Sequence, residues 1–411
     1  MTLTAQTWAY KGRNAEGKLV KGRLDAPSES AVVTRMRALG LTPVSITEAN
    51  AGTGLNREIS LGAFEKGVAR KDLAVMSRQL STMVSAGIPL LKALTILSEQ
   101  TESKPLARVL EVVRSQVESG SSLSEALARQ SEVFPPLMVH LIRAGETGGF
   151  LDQSLDSIAR TFEADVKLRA TIKSAMTYPV VVFVMAIVAV IAMLVFIVPI
   201  FEKMFADLGS ELPIPTQVLV VLSRNMIWIL PVLIVGGVAF ALWWRRNKHS
   251  DRVRAFVDPL RLKLPVFGDL IKKVSIARFA RNFATMTRSG VPVLHALGIV
   301  GATSGNWVIE NALQNVQDSV RAGKSIAQPL AAEPVFPRMV VQMIAVGEDA
   351  GSLEIMLNKI ADFYEEEVQT TTEQLTSLIE PIMIGFIGVV IGGMIVALYL
   401  PMFTIFDQIS G

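Results

Sequence analysis

No cysteine occurs among the 411 residues, and histidine occurs three times, as His140, His249 and His295. The first absence excludes disulfide frameworks, thiolate nucleophiles and Cys-ligated zinc or iron–sulfur sites. The histidines lie in different segments without ligand spacing, so each reads as an isolated helix or loop side chain. Charge of one sign is also missing. Against 40 Lys and Arg stand 37 Asp and Glu, too even a balance to argue for nucleic acid, so any electrostatic message lies in how the charges are distributed.

Apolar length is what the chain has in abundance. Half of its residues are apolar and the mean hydropathy is positive. Residues 180–200 (VVVFVMAIVAVIAMLVFIVPI) run 21 positions without a charge, residues 227–244 another 18, and residues 382–406 are uncharged as well. At a helical rise of about 1.5 Å per residue each crosses a hydrocarbon layer of about 30 Å, the second with help from residues 218–222. Three transmembrane helices are therefore expected, at 178–201, 218–244 and 381–406. Lys and Arg near their ends set the orientation. Lys167, Arg169 and Lys173 precede the first span, Lys203 stands alone in the 202–217 loop, and Arg245, Arg246, Lys248, Arg252 and Arg254 follow the second. This pattern puts the N-terminus in the cytoplasm, 202–217 outside, 245–380 inside and the C-terminus outside. Trp243 and Trp244 read as an interfacial anchor, and the first ten residues, MTLTAQTWAY, have no signal-peptide core.

The chain also repeats itself. RQLSTMVSAGIPLLKAL at 78–94 aligns on RNFATMTRSGVPVLHAL at 281–297 with eight identities in 17 positions, at an offset of 203. Val117, Gly120, Ser122, Leu127 and Ala128 recur as Val320, Gly323, Ser325, Leu330 and Ala331. After one deletion, Phe134-Pro135, Gly145-Glu146, Gly149 and Leu151 meet Phe336-Pro337, Gly347-Glu348, Gly351 and Leu353. Pro179 and Pro381, at the mouths of the first and third spans, then pair, as do Pro199 and Pro401. Each unit is a helical domain, at 71–175 and 245–380, followed by a membrane helix, and the middle span returns the chain to the cytoplasm.

Within the unit, Leu73, Met76, Leu80 and Met83 share a helical face. Gly87 and Gly290 suit a left-handed stop, and Pro89 and Pro292 the start of the next helix. Ser122 and Glu125 have capping-box spacing, and Gly148-Gly149 breaks the chain before a long amphipathic helix that begins near Leu151 and, like the one from Leu353, runs into a membrane helix. About six helices per domain in an antiparallel bundle are expected. Ahead of the repeats, residues 1–48 read as a small α+β module: a hairpin turning at 14–17, a helix ending at Gly40, and a third strand near 43–46. Residues 49–70 form a linker, rich in Gly and Asn at 50–56. The fold class is thus a mostly α membrane protein with two homologous cytoplasmic antiparallel helical bundles, three transmembrane helices and a small N-terminal α+β module.

A search for catalytic chemistry returns little. Gly323-Lys324-Ser325 ends like a phosphate-binding loop, but Asp318 stands where that loop needs Gly, and a helix–turn–helix corner explains the residues. Glu146 and Glu348 sit near helix C-termini, where the macrodipole disfavours an anion; each could close the turn, accept from a neighbouring helix start, pair across an interface or hold a cation. Residues 245–263 carry seven basic and two acidic side chains, suited to anionic lipids. Residues 361–380 carry six acidic and no basic ones, as a solvated face or a surface for a basic partner. Within the three uncharged runs no ionisable residue marks a transport path, and Gly388 to Gly392 has the spacing of a close helix contact.

The duplicated RQLSTMVSAGIPLLKAL motif, the Gly-Glu-x-x-Gly pairs, the proline at each span and the N-terminal hairpin together resemble the inner-membrane platform proteins of type IV pilus and type II secretion machines, the GspF/PilC family. The resemblance covers essentially the whole chain. It implies a non-enzymatic, multi-pass protein of the bacterial inner or plasma membrane, without a cofactor. Implied partners are a hexameric assembly ATPase, pilin or pseudopilin subunits, other inner-membrane assembly proteins and further copies of the chain, as homodimer or higher oligomer. Some members bind a divalent ion in the first domain, for which Glu146 is the one candidate here. The structural motif positions are Gly87, Pro89, Gly145, Gly149, Pro179, Gly290, Pro292, Gly347, Glu348, Gly351 and Pro381. The alternative outside the family is a membrane-anchored scaffold or receptor for another complex.

Overall fold

The computed structural model describes residues 6–13, 19–26, 29–38, 40, 42–48, 67–207, 212–248, 250–265 and 267–410, in two compact units, Met1–Glu65 and Lys66–Gly411. In the first unit, β1 (Gln6–Arg13) pairs antiparallel with both β2 (Leu19–Ala26) and β3 (Thr42–Glu48), giving the order β2-β1-β3. The register slips between Lys11 and Gly12. Helix α1 (Glu29–Ala38) buries Val32 and Met36, four residues apart on one face. The third strand is longer than the sequence pattern alone defines, because β1 pairs along nearly its whole length. The expected turn at 14–17 and the linker at 50–56 lie outside the described residues.

The second unit opens with six helices: α2 (Arg70–Ser85), α3 (Leu90–Gln100), α4 (Lys104–Glu118), α5 (Leu123–Ala128), α6 (Pro136–Gly148) and α7 (Leu151–Ala192). The chain continues through a π-helical turn (Met193–Ile197) into α8 (Val198–Asp207), returns through α9 (Ile214–Asn247) and α10 (Asp251–Lys263), then repeats the order. The second set is α11 (Phe267–Arg288), α12 (Val293–Thr303), α13 (Trp307–Arg321), α14 (Ala327–Ala331), α15 (Arg338–Asp349) and α16 (Leu353–Ser410). In each repeat the first helix lies along the last. Leu73, Met76 and Leu80 of α2 are buried with Leu155, Ile158 and Phe162 of α7; Ile276, Phe279 and Phe283 of α11 are buried with Leu357, Ile360 and Tyr364 of α16. Fully burying a side chain of this size contributes about 1.5–3 kcal/mol, so this helical spacing is what closes each bundle.

Among the described residues three helices are long and apolar enough to cross a membrane: Leu151–Asp207, Ile214–Asn247 and Leu353–Phe403. Their apolar windows are at most 17% buried. Val188, Trp228, Val232 and Val389 point outward, an arrangement that water would penalise and lipid satisfies. The helices from Leu151 and Leu353 run into the first and third spans, as expected. Pro179 and Pro381 sit inside unbroken helices rather than at helix ends, so domain and span are one rod in each repeat. Residues 202–217, expected as a loop, are helical over Val198–Asp207 and again from Ile214. Phe205 of α8 is buried, and the Thr216 hydroxyl donates to the Ala397 carbonyl of α16, so packing extends the helices beyond the apolar runs. The π-helical turn ends just before Pro199, whose missing N–H would otherwise interrupt the ladder. Arg224, inside the expected second span, pairs with Glu202 of α8, with Nε 2.8 Å from the carboxylate.

The Gly-Glu pairs explain how α6 and α15 pack. A Cβ on Gly145 would stand 2.5 Å from Ser154 Oγ and 3.0 Å from Leu151 Cα; one on Gly347 would stand 3.0 Å from Leu353 Cα and Met356 Cβ. Both glycines let one helix cross closely over the start of the next. Gly145→Ala and Gly347→Ala are expected to destabilise the fold by about 1–3 kcal/mol each through overpacking, measured by denaturant unfolding of the purified chain. Gly236→Ala, where nothing lies within 4 Å of the added carbon, is the neutral control.

Candidate functional site at the joint between the repeats

Glu146 stands at the C-terminal end of α6, yet its carboxylate lies against the N-terminus of α5. Oε1 accepts from the Leu123 N–H at 2.6 Å and Oε2 from the Ser124 N–H at 3.2 Å. Glu348 does the same for the second repeat, accepting from the Ile326 N–H at 2.8 and 2.9 Å and from the Ala327 N–H at 3.1 Å. Ser122 and Ser325 accept from the next free donors, the amides of Glu125 and Gln328. The macrodipole objection is thereby resolved: each carboxylate caps a helix start other than its own. For Glu146, the candidate for a divalent ion, capping is the role that its contacts describe. Both its oxygens are engaged by backbone donors, and among the described residues no group of three or more His, Asp or Glu is arranged to hold a metal.

The remaining motif positions are turn formers. Gly87 and Gly290 have φ of 80° and 68°, and Gly149 and Gly351 of 76° and 64°, the left-handed region where a Cβ is strained. Pro89 and Pro292 occupy the residues just before α3 and α12. Pro179 is buried in a cleft between α7 and α16 that Glu380 also lines, whereas the neighbouring Pro381 is exposed. The Gly323-Lys324-Ser325 corner joins α13 to α14, as a helix–turn–helix.

The first residue of the duplicated motif has a role that the alignment alone did not disclose. Arg78 donates through Nε and Nη2 to Glu163 at 2.7 and 2.6 Å and through Nη1 to Asp156 at 2.7 Å. Arg281 donates to Glu365 at 3.0 Å, to Asn358 at 3.1 Å and to Asp362 at 2.6 Å. Glu163 and Glu365, and Asp156 and Asn358, are equivalent at the 202 offset, so one guanidinium clamps the first helix to the last in each repeat. Burial opposes the charge on Arg281, but Glu365 and Asp362 outweigh it and raise its pKa. Lys273 adds a second tie, to Glu367 and Asp269 at 2.9 Å and to the Thr371 hydroxyl at 2.8 Å. Asp362, Glu365 and Glu367 of the acidic 361–380 stretch are therefore paired within the chain. In the basic 245–263 stretch, Arg254 bonds Glu310 at 2.6 Å, and Arg261 lies over the Trp244 ring, 5.3 Å from its centroid.

Where the two repeats meet, Leu168 of α7 packs with Leu270 of α11 and Val368 of α16, and polar contacts lie beside this apolar patch. Thr161 of α7 and Thr285 of α11 place their hydroxyl oxygens 3.0 Å apart in a buried pair. Asp165 of α7 accepts from Arg278 Nε of α11 and from Arg169 Nε of its own helix, both at 2.8 Å, with Arg70 of α2 at 3.5 Å. Burial raises the Asp165 pKa, but Arg278, Arg169 and Arg70 outweigh it and hold the carboxyl below its ordinary value. Nearer α6 and α12, His140 Nδ1 and His295 Nε2 are 3.3 Å apart, with the rings edge to face. Burial, His295 and Arg143 lower the His140 pKa. The expectation of isolated histidines is corrected here: the two belong to different repeats, 155 residues apart in sequence, and only the docking of the bundles brings them together. His249 lies outside the described residues.

The fold and this joint define a class: a duplicated helical membrane protein in which two bundles, joined along a seam of apolar and polar contacts, each continue into a span. Comparison with known proteins narrows the class. The family described as "Type II secretion system (T2SS), protein F" matches residues 76–199 and 279–401, one match per repeat, and its N-terminal domain matches residues 3–47. Type IV pilus assembly protein PilC of Myxococcus xanthus is 43% identical over 99% of this chain and 96% of its own length, and the Thermus thermophilus protein of that name is 42% identical over 98% and 99%. Type II secretion system protein F of Xanthomonas campestris is 31% identical over 98% and 99%. The chain belongs to the type II secretion system protein F family.

Glu146→Ala and Glu348→Ala are expected to cost about 1–3 kcal/mol each by orphaning helix-start donors, and the corresponding Gln variants less, because one acceptor oxygen remains. Thermal unfolding of the full chain checks this, and adding calcium or a chelator should leave the wild-type midpoint in place. A calcium-dependent rise in the wild type that Glu146→Gln abolishes would contradict the capping role.

Proposed function

We propose that this protein is the inner-membrane platform of a filament-assembly machine, coupling a cytoplasmic hexameric assembly ATPase to the addition of pilin or pseudopilin subunits. The observation that carries the reading is the continuity of α7 and α16, each running without a break from a bundle into an apolar span. A displacement imposed on a bundle reaches the bilayer through a helix rather than through a loop. Family membership supports the same role. Higher identity to pilus assembly proteins than to secretion proteins favours a pilus over a secretion pseudopilus.

On this reading the bundles face the cytoplasm, as the basic residues flanking the first two spans favour, and the C-terminus lies outside. Arg245, Arg246 and Lys248 meet anionic lipids beside the Trp243-Trp244 pair. Further copies of the chain are partners too. Gly385, Gly388, Gly392 and Gly393 have nothing within 4 Å of an added Cβ, so this face of α16 is free of contact within the chain and open to a second copy. The work is mechanical, and no enzymatic step is assigned to the chain.

Affinity purification of the full-length protein from its native membrane tests the reading. The platform role expects a hexameric assembly ATPase and prepilin in the eluate, together with other inner-membrane assembly proteins. Recovery of an unrelated complex without ATPase or prepilin would contradict it and favour a scaffold.

A further inference from the structure

The joint between the repeats holds more positive charge than its carboxylate neutralises. Arg70, Arg169 and Arg278 converge on one partner, Asp165, from three helices. The other carboxylate at this place, Glu365, is already taken by Arg281. Arg169 and Arg278 each reach Asp165 through Nε alone, and among the described residues their terminal amino groups donate to no side chain or carbonyl. Arg278 is largely buried, with 19% of its side chain exposed, so its free donors are withdrawn from bulk water. They border a cavity of about 100 Å³, lined also by Arg70, Arg169 and Thr303 and by the arginine-paired carboxylates Asp165 and Glu365. Gly305 makes the room: a Cβ there would lie 3.2 Å from Arg278 Nη1. Burial lowers the Arg278 pKa against the pull of Asp165, and the neighbouring Arg169 and Arg70 lower it further.

We propose that this cavity is a binding site for a soluble phosphate group, held by Arg278 and Arg169 with Arg70 at its mouth. Guanidinium groups present paired N–H donors that match a phosphate's oxygens, and the two uncompensated charges supply the attraction. The source is soluble rather than a lipid headgroup. Arg169 lies ten residues ahead of Pro179, about 15 Å along the helix from the mouth of the span, beyond the reach of a headgroup at the bilayer surface. Because the arginines come from both repeats, a bound phosphate ties α2 and α7 to α11 and sets how firmly the bundles are joined.

Inorganic phosphate is the probe. The full-length chain in phosphatidylcholine nanodiscs is titrated with potassium phosphate against potassium chloride at matched ionic strength, reading the unfolding midpoint. The expected result is a saturable rise for the wild type and a loss of about tenfold or more in apparent affinity for Arg278→Gln, which removes charge-assisted hydrogen bonds. Arg169→Gln, whose side chain is 43% exposed and less exposed to folding failure, should show a loss of the same order. Arg321→Gln, in a surface pair with Asp318, should respond as the wild type does. A wild type without a saturable response, or Gln variants at 169 and 278 with the wild-type response, would overturn the site. Repeating the titration with phosphatidylglycerol in the discs separates the sources. A retained response supports a soluble ligand, and a response abolished by the lipid would assign the pocket to a headgroup and overturn the soluble one.

Discussion

The packing of α2 along α7, and of α11 along α16, is the constraint on which the structure depends, because the helix that closes each bundle is also the helix that enters the bilayer. An isolated span with a loop-tethered domain would isolate the domain's motion from the membrane. Here the apolar stripe Leu155, Ile158 and Phe162 holds α7 to its bundle through one half of its length, and the lipid-facing Val184 and Val188 follow on the same helix. Arg78 and Arg281 add a guanidinium clamp at equivalent positions, each binding two turns of the partner helix. Exposed ion pairs of this kind contribute little individually; what the clamp adds is register between the two helices, through several bonds of defined geometry.

The seam between the bundles is mixed in character, with Leu168, Leu270 and Val368 packed together beside polar contacts. Each bundle closes on Leu, Ile, Phe and Met, and the seam adds to such contacts a Thr pair, a His pair, four arginines and a cavity. Polar, imperfectly filled interfaces between domains of one chain permit relative motion more readily than dry cores do. The excess guanidinium charge at Asp165 makes the seam responsive to an anion.

Much of the fold was legible in the sequence because its signals are periodic. The apolar runs marked the spans, and the 203-residue offset marked the duplication. Gly87, Gly149 and their repeats marked where helices end. The seam was not legible, for a physical reason: Arg278, Asp165, His140 and His295 meet only after two separately folded bundles dock, and no local spacing encodes that. The role of Glu146 was half visible. Its position at a helix end raised an electrostatic question, and the neighbouring α5, 22 and 23 residues back, answered it. One signal went unused. Arg78 and Glu163 both recur at the repeat offset, and a basic and an acidic residue repeated together could have been read as a conserved-geometry pair within the duplication. The rods were legible as well, because the helices from Leu151 and Leu353 lead into the first and third spans without a turn signal between. Pro179 and Pro381 sit where neighbouring turns hold the helix together despite the missing N–H.

The central claim is that the seam is a working joint, and the chain's lack of cysteine allows a direct test. Thr161→Cys with Thr285→Cys replaces the buried hydroxyl pair by two thiols, one on each bundle, in an otherwise cysteine-free background. The measurement is filament assembly in cells carrying the double variant, under oxidising and reducing conditions, with membrane insertion and disulfide formation verified on the same samples. The account predicts that the locked chain inserts normally but fails to support assembly, and that reduction restores it. Normal filament assembly by the fully oxidised chain would contradict the account, because the bundles would then be working as a single body.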